Sequence, residues 1–528
     1  MMFEDFNIAK RDKYYLAFIT IFSTILVAYY ISFNMKIGIS CSDVYLYLLN
    51  ALYFTGTNIH STDTIYLSPI ICFLTSILFR LGITSQLAIY IVTGAFAVLG
   101  NVGIYLLFRQ FYDDGLSLAG SVMYATLSLN LTWLANGTLD VPAVGMTIWL
   151  ALFAIIAINR NPKFYKYIPV IFVMGFFTRY TVMLTVPALL LYYVYKNGFK
   201  IKSEDWTPIK QGILIGIIVG MMIFTVILIM GHGQFGVSYQ MASGITGKQG
   251  ASTDPAYNTE LGYYLFNFPN FISNSHTVFD GNPVLENPTP LAWAIFAIML
   301  IGAIIWLANN RIELTKKDLI PIAIILIAAA TYTRISSVIT TILVLAGLYL
   351  LGKDSESKDG YLMLAWIFAN ALFFSYYSIK VNRYIMPVFP AFIYFALKAV
   401  EIIQDQFKIN RNIIPIILIV LFIVQGFAYT ETFEPTNIYT STEDMSNYII
   451  DNNPDYQDIP IGTYNIRPYR WWIGGNVVGI PVGNHSGIDS SNMTYYIANT
   501  KLDNLTNYTE IKNINNLYLY QKNDLSNK

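Results

Sequence analysis

Six charged residues run against the grain of this sequence. Arg179 sits near the middle of the long apolar stretch from Tyr167 to Lys196. Arg334 lies in "TYTRIS", and Lys380 and Arg383 lie in "SIKVNRYIMP". Aromatic or hydroxyl residues flank each cation, with Tyr180 after Arg179 and Tyr384 after Arg383. Asp43 opens "SDVYLYLLNALYFTG", with Tyr45 two residues on, and Asp140 lies in "LANGTLDVPAVG". A cation deep in hydrocarbon costs at least ~2.5 kcal/mol and is often functional. Such cations either snorkel to lipid headgroups or hold a shared anion such as a phosphate. A carboxylate beside them can act as base to a hydroxyl. The structural alternative for both acids is helix N-capping, with Pro142 near the start of the helix at Asp140.

The background makes these residues stand out. Of 528 residues, 55% are hydrophobic and 12% are charged, and the formal net charge is zero. Mean hydropathy is +0.49. Soluble domains carry about 25% charged residues, and apolar runs of about 17–25 residues read as membrane-spanning helices. The neutral balance offers nothing to a nucleic acid. The first apolar run, Tyr14 to Phe33, has no small-residue cleavage site after it and reads as a retained anchor.

Sidedness follows from Lys and Arg in short loops. Lys10, Arg11 and Lys13 place the N-terminus in the cytoplasm. The run "YLSPIICFLTSILFRLG", which begins at Tyr66, is short, opens on a proline and ends on an arginine. It reads as a helix in the outer interface. Helices at about 86–108, 116–135 and 141–158 then bring the basic loop of Arg160, Lys163 and Lys166 inside. The same rule splits the stretch around Arg179. One helix would leave Lys196, Lys200, Lys202 and Lys210 outside, whereas a break near Arg179 keeps them inside. Each arm, roughly 17 residues and about 25 Å, just spans. Later helices at about 212–230 and 291–308, pairs turning outside near Arg334 and Arg383, and a last helix at about 413–429 complete a polytopic α-helical membrane protein of about thirteen spans. Interfacial helices fill its first outer loop.

This reading divides the chain into a transmembrane domain, 1–430, and an extracytoplasmic α/β domain, 431–528. The tail holds one helical pattern, "EDMSNYIIDNN", and strand-like runs "IPIGTY", "TYYIANT" and "NLYLYQK". Its sequons at Asn484, Asn492, Asn504 and Asn507 suit an outer face, or arise by chance in an Asn-rich segment. All four histidines (His60, His232, His276, His485) fall outside without ligand spacing and read mostly as loop residues, with His60 the one expected near a site. Cys41 and Cys72 have no zinc-site spacing and read as a disulfide or, more simply, as two small apolar residues.

The order of these features resembles the GT-C superfamily of membrane glycosyltransferases. The nearest likeness is to the protein O-mannosyltransferase and lipid A aminoarabinose transferase group, glycosyltransferase family 39-like. It is carried by "SDVYLYL", "YLSPIICFLTSILFRLG", "TLDVPA", "GFFTRYTVML" and "NRYIMPVFPAF", over about residues 10–400. Asp43 lacks the second acid that many mannosyltransferases show there, and the proline motif is weaker, which bears on the sugar and acceptor. "YRWWIGGN" has Ile473 and Gly474 where oligosaccharyltransferases carry Asp and Tyr, so Trp471 and Trp472 read as packing or a lid.

The resemblance implies an enzyme of the multi-pass cell membrane that works at its outer face. It would move a sugar from a polyprenyl (dolichyl-type) phosphate to a hydroxyl on a protein, glycan or lipid, with inversion. Asp43 and Asp140 would be catalytic. Arg179, Arg334, Lys380 and Arg383 would bind the donor phosphate, and Tyr45, His60, Tyr66, Tyr180 and Tyr384 the substrates. No cofactor or metal is required, although two outer carboxylates could recruit a divalent ion. The alternative is a transporter or flippase of lipid-linked sugars, which would more often show inverted repeats.

Overall fold

The computed structural model describes residue 6, residues 8–57, 69–230, 260–275, 287–310, 316–377, 380–432, 437, 439–474 and 476–523. His60, Tyr66, His232 and His276 lie outside the described residues. The elements run α1 (Asp12–Ile37), α2 (Ser42–Phe54), α3 (Pro69–Arg80), α4 (Gln86–Phe108), α5 (Asp114–Thr126), α6 (Ser128–Thr132) and α7 (Asp140–Asn159). They continue as α8 (Ile168–Thr178), α9 (Val186–Asn197), α10 (Ser203–Met230), α11 (Tyr263–Phe266), α12 (Phe268–Ser273), α13 (Pro290–Asn309), α14 (Leu319–Thr331) and α15 (Ser337–Gly352). Then come α16 (Lys358–Tyr376), α17 (Phe389–Phe407) and α18 (Ile413–Thr432). Short 3₁₀ stretches, Tyr180–Thr185 and Asn382–Val388, lead into α9 and α17.

Among the described residues seven helical segments are long and apolar enough to cross a membrane, and this is a multi-pass membrane protein. Burial sorts them. α4 and α7 are buried through most of their length, whereas α10, α13 and α18 leave most of theirs uncovered. An apolar helix that stays uncovered is one whose solvent is lipid. α4 lies at the centre, against α1, α5 and α7. It approaches α7 closely because glycines face each other: a Cβ on Gly100 would stand 3.2 Å from Gly145 Cα. Small residues of this kind let membrane helices pack backbone to backbone.

The single helix expected at about 116–135 is interrupted. Leu127 takes extended geometry (φ −55°, ψ 133°) between α5 and α6. The break turns Ser128 and Thr132 toward α12 and the residues after it. The Ser128 hydroxyl donates to Asn270 O at 3.1 Å and accepts from Ser275 N at 2.9 Å, and Thr132 donates to Ser275 O at 2.7 Å. Backbone groups that helix geometry would leave unpaired are met there instead. The expected break at Arg179 is present, with α8 ending at Thr178 and Arg179 extended (φ −162°, ψ 129°).

The tail is a small α/β unit. α19 (Thr440–Asn452) precedes β1 (Ile461–Thr463), α20 (Ile466–Trp472), β2 (Val477–Gly479), α21 (His485–Ser490), β3 (Tyr495–Ala498), β4 (Tyr508–Ile514) and β5 (Leu517–Lys522). The strands order as β2-β1-β3-β5-β4, with β1 parallel to both neighbours and the other pairs antiparallel. Met445 and Ile449 of α19 pack on Ile461 and Leu519 of the sheet. α20 lies on α2, where Tyr439 meets Tyr45 edge-on (5.4 Å) and Trp471 stacks on Phe79 of α3 (6.2 Å). The Trp pair therefore packs against the membrane domain. The helix after Asp43, expected to lie in the interface within the first outer loop, is buried on nearly all sides for the same reason.

A buried ion pair fastens α1 to α4. Asp12 accepts from Arg109 Nε (2.7 Å) and Nη2 (3.3 Å), from the Tyr105 hydroxyl and from Ala9 N, and Arg109 Nη1 donates to Tyr112 O (2.6 Å). Removing one partner of such a pair strands the other charge, at about 3–5 kcal/mol. Asp12→Ala should therefore lower the thermal midpoint of the purified protein by several degrees, whereas Lys398→Ala, at a half-exposed pair with Glu401, should not. Equal, small shifts in both variants would show that the Asp12 clamp carries no stability.

Candidate active site

Four of the six charges meet. Arg383 Nη2 donates to Asp43 Oδ2 at 2.7 Å, and its Nε lies 3.5 Å from Asp140 Oδ2. Arg179 Nη1 lies 2.9 Å from the same Asp140 oxygen. Arg383 thus bridges the two carboxylates, and Arg179 holds one of them from another side. Aromatic faces complete the enclosure: Trp133 is 5.0 Å and Tyr384 5.7 Å from the Arg383 guanidinium, and Tyr384 is 5.2 Å from that of Arg179. Faces of this kind attract cations electrostatically and need no hydrogen bond to do so.

Each charge is held by its own local structure. Asp140 begins α7 after a tight loop in which Asn136 Oδ1 accepts from Thr138 N and Oγ1. The loop needs Gly137, which has φ +88° and presses on α2, where a Cβ would stand 2.8 Å from Val44 Cγ1. That contact sets Asp140 against the helix bearing Asp43. Arg179 is fixed by the break after α8. Arg383 sits in the 3₁₀ stretch, where Asn382 accepts from Trp133 Nε1 (3.0 Å) and donates to Ser275 Oγ (3.1 Å), and Pro387 O accepts from Trp366 Nε1 (2.8 Å).

Neither acid is a cap. The residues at the N-cap positions of α2 and α7 are Cys41 and Leu139, and both carboxylates turn to arginines instead. Burial works to raise Asp43's carboxyl, but the charge and hydrogen bond of Arg383 outweigh it and hold the group below its ordinary value. Its place in the first turn of α2 favours the anion as well. The buried Asp140 Oδ2 and Arg383 Nε are close in charge yet make no well-directed hydrogen bond. Both keep capacity for another partner.

The remaining sequence candidates fall elsewhere. Arg334 is exposed at the turn between α14 and α15, and among the described residues it forms no ion pair with the acids. It carried the same local signal as Arg383, but tertiary structure left it at the surface. Tyr45 is buried under Tyr439 and Trp472 and serves the tail contact. Tyr180 lines an apolar groove between α9, α15 and α16. Cys41 and Cys72 are free and buried, so the disulfide reading falls, and Cys41 Sγ lies 3.5 Å from Arg383 Nη1. Trp133 and Tyr47 belong to the cluster and were not singled out from sequence. Tyr47 sits four residues after Asp43, a helical spacing that signals a shared face.

Lys380 is buried and donates to Tyr377 O. Among the described residues it has no acidic partner, and burial lowers its ammonium to about 8. Between pH 8 and its ordinary value of 10.5 the unfolded chain holds the extra proton, so stability rises with pH across that window. A pH series of thermal midpoints should show that rise in the wild type and lose it in Lys380→Met. Parallel curves would mean that Lys380 is charged in the folded protein at no cost.

Residues 67–229 match the family model described as dolichyl-phosphate-mannose-protein mannosyltransferase. The match takes in Asp140 and Arg179 but neither Asp43 nor Arg383. ArnT from Cupriavidus metallidurans bound to undecaprenyl phosphate superposes with a TM-score of 0.58 over 96% of this chain and 97% of that one, at 11% identity. Its apo state gives 0.60 over 94% and 96%, at 10% identity. The chain has the fold of ArnT. The Archaeoglobus fulgidus oligosaccharyltransferase aligns less well, with a TM-score of 0.49 over 91% of this chain and 67% of that one, at 10% identity. No curated protein matches the chain by sequence.

Proposed function

We propose that the chain is an inverting glycosyltransferase, moving a sugar from a polyprenyl phosphate to a hydroxyl on a protein, glycan or lipid. The observation that carries this reading is the charge cluster itself: two arginines and two carboxylates beneath aromatic faces, with the Asp43 carboxylate one-third exposed (33%), in a bundle with the fold of ArnT. A purely structural cluster would be expected to satisfy its polar atoms. Here the Arg383 Nε and Asp140 Oδ2 are left without a directed partner.

An apolar groove of about 240 Å³ runs from Tyr180 between α9, α15 and α16, lined by Met183, Leu184, Ile342, Leu345 and Phe373. Tyr180, one of its lining residues, follows Arg179 in the chain. A ligand with an anionic head and a long hydrocarbon tail fits that sequence of surfaces. ArnT, whose fold this chain shares, was crystallised with undecaprenyl phosphate, and the matching family model is described by a dolichyl-phosphate-mannose donor. The distribution of Lys and Arg among the loops supports an outer face for the charged end.

The chemistry is a single displacement. The acceptor oxygen attacks the anomeric carbon from the face opposite the phosphate. The bond from that carbon to the phosphate oxygen breaks, and its electron pair leaves on the phosphate. The acceptor proton passes to Asp43. Phosphate leaves well without a general acid, so one carboxylate suffices, in contrast to the pair a glycosidase needs. Arg179 and Arg383 meet the charge that gathers on the leaving group. The incoming phosphate also competes with Asp43 for Arg383. As that contact loosens, Asp43 loses the cation that holds it low and becomes a stronger base. Asp140 steadies both arginines, and the scheme needs no metal.

Asp43→Asn should cut transfer from a radiolabelled polyprenyl-phosphate sugar by about 100-fold or more while leaving lipid-phosphate binding intact or tighter. Arg383→Gln should weaken that binding by about 10- to 100-fold, the worth of a charged hydrogen bond at about 1.5–3 kcal/mol. Retained transfer in the first variant removes Asp43 from the base role. Unchanged binding in the second reduces Arg383 to a structural cation.

A further inference from the structure

Tyr47 is buried to within 2% of full enclosure, yet its phenol lies in the combined field of Asp43, Arg179, Arg383 and Asp140. It projects from α2 one helical turn beyond Asp43, on the same face. Among the described residues its hydroxyl forms no hydrogen bond. Tyr90, Tyr264 and Tyr429 donate to Gly38 O, Val381 O and Ser275 O, and Tyr165, Tyr263 and Tyr376 also lack a partner, but Tyr47 alone of these stands one helical turn from Asp43 on α2. Its ring is enclosed, but the hydroxyl oxygen is not among the sealed, unpartnered atoms, so it stays open to a ligand as a donor that phenylalanine would lack. A hydroxyl retained there, among four charges, has its partner in the bound state.

We infer that the Tyr47 hydroxyl donates a hydrogen bond to the phosphate of the lipid-linked donor, alongside Arg179 and Arg383, making it a substrate-binding residue of this site. The inference rests on the proposed glycosyl transfer. A phosphate group offers more acceptor positions than two arginines fill, and its oxygens gain charge as the sugar departs, so the bond strengthens along the reaction. Burial and the nearby Asp43 carboxylate push the phenol well above its ordinary value, which keeps the proton on Tyr47 throughout. No proton transfer is assigned to it. Asp43 and Tyr47 then act from a single helix, one on the acceptor and one on the leaving group.

Tyr47→Phe in the full-length protein, reconstituted in nanodiscs, tests this with three readouts. They are the thermal midpoint, the affinity for polyprenyl monophosphate, and the turnover of a polyprenyl-phosphate sugar. The expected result is an equal or higher midpoint, a roughly 10-fold loss of affinity, and a larger fall in turnover than in affinity. Wild-type and variant proteins that bind the lipid phosphate and turn over alike would overturn the inference while leaving the glycosyltransferase reading standing. A wild type that fails to bind polyprenyl monophosphate would overturn both. If the variant's midpoint drops, 3-fluorotyrosine at position 47 replaces it. This residue keeps the ring's shape and donates more strongly, so the phosphate should bind more tightly, and unchanged affinity would again overturn the role.

Discussion

Arg383 stands between two carboxylates, and the site depends on it. With its Nη2 on Asp43 and its Nε beside Asp140, it ties the chain's first short helix to the start of α7. Arg179 adds a second cation to Asp140. The formal charges cancel, which is what allows them to sit among apolar neighbours. Even so, taking Asp140 and the two arginines out of water is expensive, and an apolar core of similar shape would often be as stable or more so. The cluster is therefore better explained by what it does than by what it stabilises.

The rest of the molecule holds these charges in register. α4 and α7 approach at Gly100 and Gly145, giving the bundle a stiff centre from which Asp140 projects. Gly137 lets the preceding loop press on α2 and so couples Asp140 to Asp43. The tail adds a cover, with Tyr439, Trp471 and Trp472 packing over α2 and α3. Arg467 of α20 is near enough for its charge to bear on Asp43. The tail is thus joined to the site's own helix and shares its electrostatics. The lipid-facing helices α10, α13 and α18 carry no part of the cluster.

The charges were legible in the sequence because an apolar chain with few ions makes each one conspicuous. Asp43, Asp140, Arg179 and Arg383 could be placed on one side by loop charges alone, and the break at Arg179 followed from the same rule. The limits were equally physical. Arg334 and Arg383 share a local signature and differ only in what packs on them. Tyr45 and Tyr47 alternate on α2, and nothing in the run "DVYLY" tells which faces the tail and which faces the ions. With 40 tyrosines in the chain, aromatic character alone singles out none of them. The interruption at Leu127 has no proline or glycine to mark it. It exists because Ser128 and Thr132 serve the backbone of residues 270–275, a contact far away in sequence.

The most direct measurement is an experimental structure of the protein with polyprenyl monophosphate in nanodiscs. The account predicts phosphate density between Arg179 and Arg383, the hydrocarbon tail entering the groove at Tyr180, and a lengthened Asp43–Arg383 contact. Phosphate density away from both arginines, with the Asp43–Arg383–Asp140 bridge intact, would contradict it.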